Sequence, residues 1–354
     1  MQKIFGNERD YMATLKDIAL KAEVTVSTVS RALNGNPEIK KSTRDRIIEI
    51  AKELNYISNK HETYFHGSTD KTIGLICPEI RGNFYSSLAN TMEIEIKEAG
   101  YTMILGLTNF KSEEELRHLD LFEKKNVDGI VFITSINDSF KEEILNFKAR
   151  CSIPLIQVGS VFEVEEYDCI KFDDKLGVML AVEHLLDLGH TEIAYVGENL
   201  TKDRQKHFID ALKKHGIKTD GDFIKSGEER FEEGGYLRMK EILSNGENQP
   251  TAIFASYDDI AIGAMKAIYE SGRRIPEDIS VIGLDNIYLA SYLYKSLSTI
   301  SNPTNEMMNI AIKILLGKIE DKTNKVIQHV VVKPELIIRE TTGRAPIKEA
   351  HKNK

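Results

Sequence analysis

The residue types with the clearest chemical use lie near the start of the chain. A short helix predicted from about Thr25 to Leu33 turns Val26, Ser27, Ser30 and Arg31 outward. Short side chains of this kind reach base edges in a DNA groove, and the cation can meet phosphate or guanine. Patterns for catalysis are missing: the sequence has no H-E-x-x-H, G-x-S-x-G, Walker A or C-x-x-C. His184 and His190 are six residues apart, not the four that align two ligands on one helix face, and they read as structural. The carboxylates are scattered through an acidic body and carry no acid–base signal.

Three short helices must position that outward face. Thr14 and Asp17 form a capping box, followed by Leu15, Ile18, Ala19 and Ala22 at helical spacing. After a break at Glu23-Val24-Thr25, Thr25 caps the second helix, with Val29 and Leu33 facing inward. Asn34-Gly35-Asn36-Pro37 ends it. Ser42 with Asp45 is predicted to be a second capping box, ahead of an apolar stripe of Ile47, Ile50, Ala51 and Leu54. Two helices joined by so short a turn make a helix-turn-helix, and a generic three-helix bundle is the alternative. Residues 13–60 hold nine cations and six anions, so this +3 head leaves −11 for the rest of a chain whose net charge is −8. That asymmetry points to an anionic partner for the head.

From Ile73 the periodicity changes. β-rich runs at Ile73–Cys77, Met103–Leu107, Ile130–Thr134, Leu155–Val158, Ile193–Val196, Ala252–Phe254 and Val281–Leu284 alternate with amphipathic stretches. The stretches include Ser87–Ala99, Glu113–Lys125, Lys175–Leu188, Asp203–His215, Asp258–Ser271 and Glu306–Leu316. Such alternation means βαβ units and parallel sheets, here enough for two α/β lobes with a ligand cleft beyond the strands' carboxyl ends. Three cysteines, no secretory signal and no apolar run of membrane length lead to the expectation of a cytoplasmic protein.

The head reads T-L-K-D-I-A-L-K-A-E-V-T-V-S-T-V-S-R-A-L-N-G from Thr14 to Gly35. The body adds V-D-G-I at Val127–Ile130, H-L-L-D-L-G-H-T-E-I-A-Y-V-G at His184–Gly197, D-D-I-A-I-G-A-M at Asp258–Met265 and P-E-D-I-S-V-I-G-L-D at Pro276–Asp285. In order and spacing these resemble the lactose-repressor/galactose-repressor (LacI/GalR) family of transcriptional regulators from about Ala13 to about Glu340. The resemblance implies an all-α helix-turn-helix head followed by an α/β, two-lobed domain like a periplasmic binding protein, with two parallel-sheet, Rossmann-like subdomains. It implies a head at 13–58, a hinge at 59–71, an effector-binding and dimerisation domain at 72–340, and a loose tail at 341–354. One lobe takes about 72–170 and 302–333, the other about 171–301 and 334–340. The implied DNA-binding residues are Thr14, Thr25, Val26, Ser27, Thr28, Ser30, Arg31, Asn34, Tyr56 and, as a minor-groove wedge, Phe65. Glu23 stands where the family usually has glycine, and Glu62 where a small alanine is usual.

Family effectors are mostly sugars or sugar phosphates. The resemblance implies effector contacts at Arg204 and Asp285, an aromatic stack from Phe231, the pair Phe84 and Tyr85, and a hydroxyl from Ser135. Tyr257, Gly159 and His207 replace a frequent asparagine, aspartate and glycine, so the pocket departs from the best-known lactose and galactose binders; Tyr257 is expected to plate or narrow the cleft. The implied function is a non-enzymatic repressor of carbohydrate-utilisation genes. It binds a pseudo-palindromic operator as a homodimer and is released by a sugar-type effector, with no metal or cofactor. The alternatives are a global catabolite-type regulator controlled by a protein partner or phosphorylated metabolite, and a sugar-binding protein that does not touch DNA.

Overall fold

A computed structural model describes residues 13–33, 36, 38–54, 71–133, 138–159, 165–218, 221–245 and 249–347. Asn34, Tyr56, Phe65, Ser135 and the hinge to Asp70 lie outside the described residues. The chain divides into two compact units at Lys71–Thr72.

The head consists of α1 (Leu15–Ala22), α2 (Val26–Leu33) and α3 (Lys41–Glu53). Ile18, Ala19, Ala22, Val29, Ala32, Ile47, Ile50 and Ala51 form its core. The Thr14 N–H donates to the Asp17 carboxylate at 2.7 Å, closing the start of α1. At its end Glu23 adopts the left-handed conformation (φ 53°, ψ 42°), and the Val24 N–H reaches back to the Ala19 carbonyl at 3.0 Å. This is the turn that glycine would make without a Cβ penalty, so Glu23 carries a strain of about 1–2 kcal/mol. The predicted cap at Ser42 is one turn position out: α3 begins at Lys41, and Ser42 lies inside its first turn. The Lys40 carbonyl already accepts from the Arg44 N–H, so the backbone starts the helix without the serine.

The second unit holds two six-stranded sheets. The first lobe contributes β1 (Thr72–Cys77), α4 (Asn83–Glu98), β2 (Thr102–Leu107), α5 (Ser112–Lys125), β3 (Gly129–Ile133), α6 (Asp138–Arg150), β4 (Leu155–Gly159) and β5 (Asp168–Phe172). The second lobe follows with α7 (Asp174–Asp187), β6 (Ile193–Val196), α8 (Lys202–Lys214), β7 (Ile224–Lys225), α9 (Phe231–Leu243), β8 (Ala252–Ala255), α10 (Asp258–Glu270), β9 (Ser280–Asp285) and β10 (Ser298–Ser301). The chain then returns to the first lobe as α11 (Thr304–Glu320) and β11 (His329–Val332), and ends in the second as β12 (Glu335–Ile337). The sheet orders are β11-β5-β4-β3-β1-β2 and β12-β10-β9-β8-β6-β7. The first sheet is parallel throughout; in the second, β12 runs antiparallel to β10, a departure from the expected all-parallel lobe. β12 enters this edge from the first lobe, after α11 and β11, and pairs with β10 through Thr299–Ile337 and Ser301–Glu335.

Central strands such as β1 and β3 are buried on both faces, as parallel strands covered by helices must be. In the second lobe α9 and α10 cross at two glycines. A Cβ on Gly235 would lie 2.0 Å from the Ile260 carbonyl oxygen, and one on Gly263 would lie 1.9 Å from that of Glu232. This close approach fixes the starts of both helices, where Phe231 and Tyr257–Asp258 stand.

The expected loose tail is corrected for its first residues. Thr341 is fully buried; its backbone carbonyl accepts from the Val281 N–H at 2.7 Å and its hydroxyl donates to the Val281 carbonyl at 2.8 Å. The Gly343 N–H donates to Ser280 Oγ, and the Ala345 N–H to the Leu188 carbonyl. The strap satisfies polar groups of the second lobe that would otherwise be buried without partners. His190, fully buried, bonds Thr251, Ser280 and the Gly343 carbonyl, and His184 bonds Thr342. Both histidines are structural in this arrangement.

Candidate functional site

On the head, α2 presents the predicted outward face. Val26 is 40% exposed, Thr25, Ser27 and Arg31 are exposed, and Thr28 and Ser30 are half-buried. Thr25 caps the helix: its Oγ accepts from the Thr28 N–H at 3.2 Å and bonds the hydroxyls of Ser27 and Thr28 at 2.8 and 2.9 Å. The N-terminal turn therefore carries a linked set of hydroxyls that can exchange partners with bases or phosphate. Arg31 holds Glu38 loosely, 3.7 Å away, with both side chains well exposed. An exposed pair at that distance adds little, leaving the guanidinium available to an anion. The Thr14 hydroxyl donates to Asp17 and serves α1.

In the second unit a cavity of about 150 Å³ lies between the lobes. Of the predicted effector residues, Phe84, Tyr85, Arg204, Phe231, Tyr257 and Asp285 all line it. Ser135 falls outside the described residues. Gly159 is also in the wall.

Arg204, in the first turn of α8, is the central donor. Its Nε donates to Asp174 Oδ1 and its Nη1 to the Ser256 carbonyl, both at 2.6 Å. Its Nη2 stands 3.9 Å from Asp285 Oδ1. Burial by itself would raise Asp174, but Arg204 and His207 beside it together more than offset this and hold the carboxyl below its usual range. For Asp285 burial wins: despite Arg204 its pKa is pushed up to about 7. Asp285 and Asn286 both have positive φ (111° and 54°), so the chain turns sharply off β9 and aims the carboxyl at the cavity. The turn is held from behind by Asp258, fully buried, which accepts from Thr299 Oγ1 at 2.7 Å and the Ile287 N–H at 2.9 Å. His207, beside Arg204, sits 3.6 Å from Asp174.

The aromatic wall is built across the lobes. Phe231 has φ 56°, rare for a bulky residue, and its N–H donates to the Tyr257 hydroxyl at 3.0 Å. Its ring lies where a Cβ on Gly82 of the other lobe would come within 2.7 Å, and Arg81 and Arg230 stack over it at 5.1 and 4.6 Å. Tyr257 is a strut more than a plate: it is buried, and its hydroxyl donates to Glu198 Oε2 at 3.0 Å while receiving the Phe231 N–H. Phe84 and Tyr85 meet edge to face at 5.0 Å, and Tyr85 meets Phe110 at 6.1 Å.

Several lining residues escaped the reading of the sequence. Arg230 spans the cleft, with its Nη1 2.8 Å from Glu79 of the first lobe and its Nε donating to Glu198 of the second at 2.9 Å. Asn83 donates to Asp259 across the same gap at 2.7 Å. Asp174, Phe110 and Asn302 complete the wall. One signal could have found several of them. Glu79, Asp174, Glu198 and Asn302 each follow a strand's carboxyl end by one or two residues, the place where open α/β sheets bind ligands. Among the described residues no group of three or more His, Cys, Asp or Glu is arranged to hold a metal.

A groove-sized helix on a three-helix head, and a two-lobed body with a cleft between its lobes, define a ligand-responsive DNA-binding protein. The comparisons agree. Residues 14–59 match the profile of bacterial regulatory proteins, lacI family, and residues 182–342 that of a periplasmic binding protein-like domain. The chain is 32% identical over 335 residues to the HTH-type transcriptional regulator DegA of Bacillus subtilis, covering 93% of this chain and 98% of that one. It is also 32% identical to a ribose operon repressor of Haemophilus influenzae, with 93% and 98% covered. Among solved structures, a LacI family transcriptional regulator from Enterococcus faecium with bound ribose matches at 29% identity and a TM-score of 0.67, over 78% of this chain and 100% of that one. A lac repressor dimer bound to operator shares the fold at 24% identity and a TM-score of 0.69, over 94% and 100%. The chain belongs to the LacI family of bacterial transcriptional regulators. Among the described residues no helix is long and apolar enough to cross a membrane.

Proposed function

We propose that this regulator represses carbohydrate-utilisation genes in the cytoplasm without enzymatic activity, binds a pseudo-palindromic operator as a homodimer, and is released by a small sugar held between its lobes. The observation that carries the reading is the cleft. Arg204 and Asp285, a donor and an acceptor for hydroxyls, face one cavity whose lining also includes the aromatic rings of Phe84, Tyr85, Phe110 and Phe231. Sugar recognition needs both surfaces, polar groups for the hydroxyls and an apolar plate for the C–H face. At about 10–15 Å³ per water the cavity takes roughly ten waters, about the size of a monosaccharide. The curated relative named as a ribose operon repressor and the neighbour holding ribose support the same class.

Two lobe arrangements, one favoured by the effector, would alter the grip on DNA by the effector's differential affinity, about 1–3 kcal/mol of coupling. On the head, Thr14, Thr25, Val26, Ser27, Thr28, Ser30, Arg31 and the residues Asn34, Tyr56 and Phe65 are assigned to the operator. The test is release of an operator duplex by a panel of free sugars, with Arg204→Ala alongside the wild type. The variant should keep operator affinity and lose the response. A normal response removes Arg204 from the effector site, and failure of the wild type to bind any duplex at low salt ends the repressor reading.

A further inference from the structure

Negative charge dominates the wall of the cavity. Around it stand six carboxylates, Glu79, Asp174, Glu198, Asp203, Asp259 and Asp285, against two guanidiniums, and the described lining holds no lysine or histidine. Both guanidiniums are already charge-paired, though each keeps N–H groups for a hydroxyl. Arg204 serves Asp174 and the Ser256 carbonyl, and Arg230 serves Glu198 and Glu79. Acceptors are left over: Asn302, only 5% exposed, gives its Nδ2 to Asp285 and keeps a buried Oδ1 with no partner. Burial raises Asp259 and Asp285, yet with both protonated four carboxylates still outnumber two arginines.

Resting on the reading of this cleft as an effector site, we propose that it admits an uncharged polyhydroxylated effector, or its amino analogue, and rejects sugar phosphates and sugar acids. Each hydroxyl of a neutral sugar brings a donor to an acceptor-rich wall. A phosphate or carboxylate brings acceptors alone and adds charge of the same sign in a desolvated space, where like-charge contacts are strongly unfavourable. The chemistry separates this cleft from one built for phosphorylated metabolites, which needs unpaired cations or a cluster of backbone N–H groups.

The full-length protein decides the matter in thermal melts at constant ionic strength. The probes are ribose, glucose and galactose, each beside its phosphate; glucuronate and galacturonate; glucosamine and galactosamine; and sodium phosphate and sulfate matched to chloride. Stabilisation should come from neutral or amino sugars, with every anionic form weaker than its parent by about 100-fold or more. A sugar acid or sugar phosphate that binds as tightly as its neutral parent overturns the proposal. So does inorganic phosphate that stabilises the wild type but not Arg204→Gln. If no sugar of any charge acts, the sugar reading of the site fails, and the inorganic arm still tests the charge rule: no gain over chloride supports it, and a gain lost in Arg204→Gln defeats it.

Discussion

The most direct test of lobe coupling is Glu79→Gln. Glu79 follows β1 on the first lobe and meets Arg230, at the start of α9 on the second, at 2.8 Å. The two side chains are only 13% and 23% exposed, so water screens the pair weakly. The substitution keeps the shape and removes the charge, and Arg230 retains Glu198 at 2.9 Å, so no guanidinium is left orphaned. The contact is an ion pair, with Glu79 Oε1 outside hydrogen-bond alignment, and at about 1 kcal/mol it corresponds to roughly a 5-fold change in the ratio of closed to open lobes. That is the lower end of a typical allosteric coupling of about 1–3 kcal/mol, so this one contact can shift the balance on which an effector acts. The remaining ties, Asn83 to Asp259 and Phe231 on Gly82, leave a partly biased body. Spin labels at the exposed positions Glu98 and Lys213, one on each lobe, with Cys151 replaced by serine, report the separation by pulsed dipolar spectroscopy. Without effector, Glu79→Gln should populate longer distances than the wild type, and Glu79→Asp should recover part of the difference. Identical distance distributions in Glu79→Gln and wild type would refute the argument that this pair holds the lobes.

Three further outcomes follow from particular residues. Glu23→Gly relieves a left-handed glutamate and should stabilise the head by about 1 kcal/mol in denaturant melts, with operator affinity intact; a loss of stability would mean the side chain matters more than the backbone strain. Asp285 is raised from 3.8 to about 7 by burial, so the folded state keeps a proton that the unfolded state has released, and stability falls as pH rises from about 4 to about 7. Asp285→Asn removes that slope, and urea melts at the two ends of this window should show the variant gaining on the wild type toward pH 7; a constant difference contradicts the assignment. Exchanging Val26 and Ser27 for larger polar residues should change which operator is preferred in a binding selection, since both stand on the exposed start of α2. An unchanged preference would mean that another element reads the bases.

The sequence by itself determined what repeats locally. Caps at Thr14 and Thr25 and apolar positions every three or four residues set the head's helices, because a helix must bury one stripe wherever it sits. Runs such as Ile73–Cys77 announced parallel strands, since a strand covered on both faces has no polar side to alternate. Arg204, Phe231 and Asp285 were legible through a family pattern, and the tertiary structure brings them to one cavity. The tertiary structure alone decided the partnerships. Arg230 bridges Glu79 and Glu198, residues far apart in the chain, because two strand ends from different lobes face each other across the gap. Thr341 to Ala345 look like a polar tail in the sequence, yet they are strapped down, because the second lobe leaves buried donors and acceptors at Leu188, His190, Ser280 and Val281. Hydrophobic periodicity records which face is dry. It does not record which charged group, carried in from another part of the chain, will stand opposite, and that is set only when the lobes pack.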